Sequence, residues 1–190
     1  WAMENVPRVA GVLRAESQKG GQLYKFKKII DDGFIEVINM REYGIPQKRQ
    51  RCIASNIDLG LLEGYKEFTE EVTLGKVLES LSKDKIIDPN FKISQSRKNT
   101  TEMEKEEGLN LEEKRMNRDM KVNHPVYNRM SFPEDENQPA RTITATCTRV
   151  SRESLVVRDK RKFRRLSVRE RASIQGFPIN YEFHGSSHSN

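Results

Sequence analysis

The sequence predicts an α/β fold in which the edge of an open sheet is followed by a smaller, strand-containing domain. Three observations predict it. Residues 1–57 alternate short β-branched runs with amphipathic helical stretches, a long polar insertion follows, and β-type alternation resumes only at residue 141.

The first residues, Trp1 to Met3, are apolar and stop at Glu4-Asn5-Val6-Pro7, as a strand end opening into a loop would. Val9, Val12 and Leu13 recur at helical spacing until Gly20-Gly21 interrupts them. Leu23, Phe26, Ile29 and Ile30 form one helical stripe, with Gly33 placed as a C-cap. Residues 34–38 (FIEVI) and 51–57 (RCIASNI) read as strands, separated by a turn at Tyr43-Gly44-Ile45-Pro46. A short helix is expected over 73–81, with Thr73 as its N-cap. Residues 97–121 hold seven cations and seven acids, which suits a solvated helix or a mobile insertion, and 123–139 reads as loop. The alternation of Thr with apolar residues over 141–150 predicts a strand, with Leu155-Val156-Val157 as a pairing partner. Ser167 should cap a final helix that Gly176 and Pro178 end. The domains expected are 1–57 and 58–186.

Composition narrows the function. Apolar residues make up 35% and charged residues 33% of the 190, so the core should be modest. The net charge is +6 and it is unevenly placed. Residues 141–171 hold eleven Lys and Arg against three acids, a net +8 that leaves the remainder at −2. A local excess of this kind suits a surface that binds phosphates, and a solvated face is the alternative. Arg161, Lys162, Arg164 and Arg165 are the expected contacts to a nucleic acid. Two cysteines are too few for a disulfide scaffold or a zinc site, so no metal is expected. No apolar run approaches the roughly 20 residues that span a bilayer, and a soluble, cytoplasmic protein without a membrane partner is expected.

Two places carry candidate chemistry. After Pro46 an extended chain would point Gln47, Arg49 and Arg51 one way and Lys48, Gln50 and Cys52 the other. One face would then present an amide and two planar guanidiniums, donors suited to phosphate or carbonyl oxygens; two arginines on an edge strand are the plain alternative. Glu4 follows an apolar strand, where ligands of open α/β sheets bind, and a desolvated carboxyl there can act as an acid.

Glu4-Asn5-Val6, then Gln47-x-Arg49-x-Arg51, then Arg141-Thr142-Ile143-Thr144 followed by Leu166 to Phe183, in this order, resemble the later conserved blocks of the cytosine-C5 DNA methyltransferases. The resemblance frames the whole chain. It implies a Rossmann-like methyltransferase sheet whose edge is residues 1–57, and a target-recognition domain over 58–186 with its variable part at about 58–140. Residues 187–190 would begin the return to the catalytic domain. It implies methyl transfer from S-adenosylmethionine to C5 of a flipped cytosine in double-stranded DNA, in a bacterial-type setting of restriction and modification. By the same resemblance Glu4 would bind N3 and the exocyclic amine of the base, Arg51 its O2, and Arg49 would build the pocket wall. Asn5, Gln47, Arg141, Thr142 and Thr144 would support the pocket. The family's nucleophile is the thiolate of a Pro-Cys motif, and neither Cys52 nor Cys147 lies in one. The family's Gly-rich cofactor block has no match either, so no residue of this chain is assigned to the cofactor. The chain is therefore expected to be a piece or subunit that needs an N-terminal half, inactive alone and a poor binder of S-adenosylmethionine. The alternatives are a fragment of a transfer-RNA cytosine-C5 methyltransferase, a non-catalytic DNA-binding module, or an inert remnant.

Overall fold

The computed structural model describes residues 1–125, 129–145 and 148–184, and they form two compact units. The first comprises 1–44 and 48–71; the second comprises 45–47 and the chain from Val72 onward. The first unit extends through Glu71, and Ile45–Gln47 belongs to the second unit.

In the first unit, β1 (Ala2–Asn5), β2 (Phe34–Asn39) and β3 (Gln50–Ser55) make one sheet in the order β1-β3-β2. Both outer strands run antiparallel to β3, so β1 and β2 run parallel to each other. Parallel strands need a crossover, and α1 (Val9–Glu16) and α2 (Lys27–Asp31) lie in the connection between them. The expected single helix over 22–32 is instead a 3₁₀ turn, Tyr24–Phe26, followed by α2, because Leu23 and Phe26 sit near φ −100° and ψ +8°. Gly33 is not a left-handed cap. A Cβ there would stand 2.9 Å from the Trp1 ring and 3.0 Å from the Ser55 carbonyl oxygen, so the residue is small to let the sheet close. Gly44 does take φ +78°, ending the 3₁₀ turn Met40–Tyr43. The helix α3 (Gly60–Lys66) follows β3. Cys52, Ala54, Ile38, Ala10 and Leu59 are the buried apolar residues here.

The second unit packs around Leu74, Val77 and Leu81 of α4 (Leu74–Ser82) with Ile86, Ile143, Leu155, Val157, Leu166, Ile174 and Ile179. Thr73 caps α4, its hydroxyl accepting from the Lys76 N–H. Two hairpins form, β4 (Lys85–Ile87) with β5 (Ser94–Ser96) and β6 (Val156–Asp159) with β7 (Lys162–Arg165). The charged stretch holds α5 (Leu111–Lys121), opened by a reciprocal cap between Asn110 and Glu113. It is not merely solvated: Lys121 is fully buried, donating to Asn117 Oδ1 and to Ser154 Oγ at 3.0 Å. The last helix, α6 (Val168–Ile174), carries the same kind of cap between Ser167 and Glu170, and Gly176 at φ +86° follows it.

The strand expected over 141–150 is absent from its described residues. Ile143 goes into the core and Arg141 into an ion pair, while the Ala140 N–H donates to the Pro46 carbonyl in a single bridge with Gln47. Val156 and Val157 pair instead with Arg165 and Arg164 of the basic segment. Cys147 and residues 187–190, on which two expectations rest, lie outside the described residues.

Candidate active site and nucleic-acid interface

In the first unit, Glu4 is opposite Ile53 in the register, and Arg51 lies two residues before Ile53 on β3. Two-residue spacing returns a side chain to the same face, so carboxylate and guanidinium meet diagonally across the strands. Arg51 Nε stands 2.6 Å from Glu4 Oε1. The Glu4 side chain is 55% exposed and that of Arg51 17%. A pair this open contributes about 1 kcal/mol or less to stability. Its importance is geometric, since it aligns an acceptor and a fixed donor side by side at a strand end.

Arg49 precedes β3, and its carbonyl accepts from the Met40 N–H at 2.9 Å. Its guanidinium pKa is lowered, first by burial and then by the charge of Arg51, against the opposing pull of Glu4. Asn5 turns inward on its own chain, its side-chain oxygen accepting from the Val6 N–H at 2.8 Å. Cys52 is fully buried, and burial raises its thiol pKa. It lacks both the exposure and the thiolate character of a nucleophile.

Gln47 does not stand in a row with Arg49 and Arg51. It belongs to the second unit, is fully buried, and neither amide atom has a hydrogen-bond partner among the described residues. The extended stretch is interrupted at Lys48, so strand alternation does not carry from Gln47 to β3.

In the second unit, Arg141 grips the buried Glu134 through Nε at 2.9 Å and reaches the Arg152 and Ser154 carbonyls. Thr142 is half-buried and Thr144 exposed. The basic segment is mostly invested in structure. Arg164 is buried and bound to both oxygens of Glu170 at 2.7 and 2.8 Å and to Asp159 at 2.8 Å, which corrects the expectation of a phosphate contact there. Burial alone would lower its pKa, but the two carboxylates outweigh that and raise it. Arg165 is bound to Glu106 at 2.6 Å and Arg149 to Glu113 at 2.7 Å. Arg169 is buried on the Thr101 and Tyr181 carbonyls, which fixes the turn after α6. What remains exposed is Arg158 and the turn of the hairpin, with Lys160, Arg161 and Lys162. Lys105 lies outside the basic segment read from the sequence and joins this turn only through its ion pair with Asp159, distant in the chain.

The first unit thus sets a carboxylate beside a guanidinium on adjacent strands, and the second unit exposes three consecutive cations. The family model for the C-5 cytosine-specific DNA methylases matches residues 2–190, and the chain belongs to that family. No curated protein matches it. Among the described residues no helix is long and apolar enough to cross a membrane, and no cluster of His, Cys, Asp and Glu could hold a metal ion.

Proposed function

We propose that this chain supplies the base-holding wall and the DNA-recognition unit of a DNA cytosine-C5 methyltransferase acting on a flipped base. The observation that carries the reading is the Glu4–Arg51 pair, 2.6 Å apart at the end of β1. The polar edge of cytosine offers an amine donor and two acceptors, N3 and O2. Glu4 accepts from the amine and holds a proton at N3, while Arg51 donates to O2. Both contacts draw electron density from the ring and favour addition of a thiolate at C6. For this the base must part the two side chains from each other. Arg49 lines the wall within the first unit, with Asn5 as its support. β1, β3 and β2 would be the edge of a Rossmann-like sheet, with 1–57 in the catalytic domain and 58–186 in target recognition.

The family's methyl donor is S-adenosylmethionine, and this chain's residues do not fit it by themselves. A cavity of the first unit, beside Arg14, Gln18 and Ile35, is about 240 Å³, below the roughly 300–1,000 Å³ of ligand sites. Gly21 and Gly33 are packed against Glu16 and Trp1, leaving no cradle there for a nucleotide. The nucleophile and the donor site would come from a companion N-terminal part. The test is reconstitution with such a part carrying a Pro-Cys motif. Arg51→Ala should slow single-turnover methyl transfer by about 10²-fold, the scale of losing one preorganised donor, while duplex affinity changes little. Unchanged turnover would remove the reading.

A further inference from the structure

Beside the β6–β7 turn lies a cleft of about 600 Å³, bordered by Lys160, Arg161 and Lys162 on one side and by Lys105, Glu107 and Gly108 on the other. We infer that this cleft is a clamp for one sugar–phosphate segment of DNA, an inference that rests on the DNA reading above. Its volume admits a phosphodiester with its sugar and not only a lone ion.

The charge pattern is selective. Arg164 and Arg165 spend their guanidiniums on Glu170, Asp159 and Glu106, whereas Lys160, Arg161 and Lys162 form no ion pair among the described residues. Lys105 reaches Asp159 at 2.7 Å and keeps an exposed ammonium at the rim. The frame is fixed before any ligand arrives. Asp159 and Lys162 pair in register, so the turn has two residues, and Lys160 takes the left-handed φ of +55°. The opposite wall is tied to β7 by the Leu109 N–H on the Phe163 carbonyl at 2.7 Å. Gly108 admits the stem of Lys162: a Cβ there would stand 3.2 Å from Lys162 Cδ. Lys162, its stem held this way, loses less side-chain freedom on binding than an unpacked lysine. Exposed Glu107 repels a phosphate that approaches from its own side, so the strand enters along the turn.

The test is binding of the chain to a fluorescein-labelled DNA duplex, followed by anisotropy over a salt series. The variant Lys160→Asn, Arg161→Gln, Lys162→Gln keeps a residue that tolerates positive φ at 160. It should lower the magnitude of the slope of log K against log salt by about 0.9 per lost contact, close to 3 in all. A charge-matched variant, Lys19→Gln, Lys25→Gln, Lys28→Gln, should leave the slope as it was. Equal effects from the two variants, or an unchanged slope in the first with native circular dichroism, would overturn the clamp. Absence of duplex binding by the parent chain would overturn it too. None of these results touches the Arg51 turnover experiment, which decides the active-site reading separately.

Discussion

Gln47 places both atoms of its amide inside the second unit with no partner for either among the described residues. An unsatisfied buried polar group costs about 1–3 kcal/mol, and an apolar side chain of the same shape avoids that cost. Gln47→Met should therefore leave the chain as stable as before or raise its urea midpoint. A loss above about 1 kcal/mol would show that the amide has a partner in solution. Glu4 and Arg51 could be picked out in the sequence because both sit at the ends of short apolar runs, and strand pairing brings such ends together. Gln47 was misplaced for the converse reason. Two-residue alternation holds only while the strand continues, and β3 begins at Gln50.

Elements specified by neighbouring residues were legible. The helices after Thr73 and Ser167 both appear where their caps predict, since a cap needs only a side-chain oxygen and an N–H three residues on. Ser167 is the stronger case. Its hydroxyl accepts from the Glu170 N–H at 3.2 Å, and the Glu170 carboxylate returns to the Ser167 N–H at 2.7 Å while also holding Arg164. Ser167→Ala should cost about 1 kcal/mol in a urea melt, and Glu170→Ala more, because it also leaves the buried Arg164 without its two-point partner. Equal losses would show that Arg164 finds another carboxylate. The hairpin that holds Arg164 was not legible. Its residues Lys162–Arg165 alternate no apolar face, and carboxylates from Asp159, Glu106 and Glu170 decide their pairing.

Two carboxylates, Glu113 and Asp159, give the whole molecule a response to acid. Arg149 holds the Glu113 carboxyl at about 2, with the Asn110 N–H assisting. Lys105 and then Arg164 hold that of Asp159 at about 2. A carboxyl whose pKa is depressed on folding stabilises the fold above its ordinary value and ceases to do so as pH falls through the folded one. The ordinary values are 4.5 and 3.8, so melting temperature should be insensitive to these groups above pH 5 and should fall between about 4.5 and 2. The charge-neutral variant Glu113→Gln should flatten part of that fall in calorimetry; an identical profile would remove Glu113 from the account. One feature of the chain's route bears on how such proteins can be recombined. Ile45–Gln47 belongs to the second unit, although the chain on both sides of it belongs to the first. The Pro46 carbonyl holds the Ala140 N–H, and Ile45 Cδ1 fills the space in front of Gly176. A graft that transplants the chain from Val72 onward into a relative would leave those three residues behind. A chimaera that keeps the second unit whole must therefore exchange the tripeptide together with the long segment.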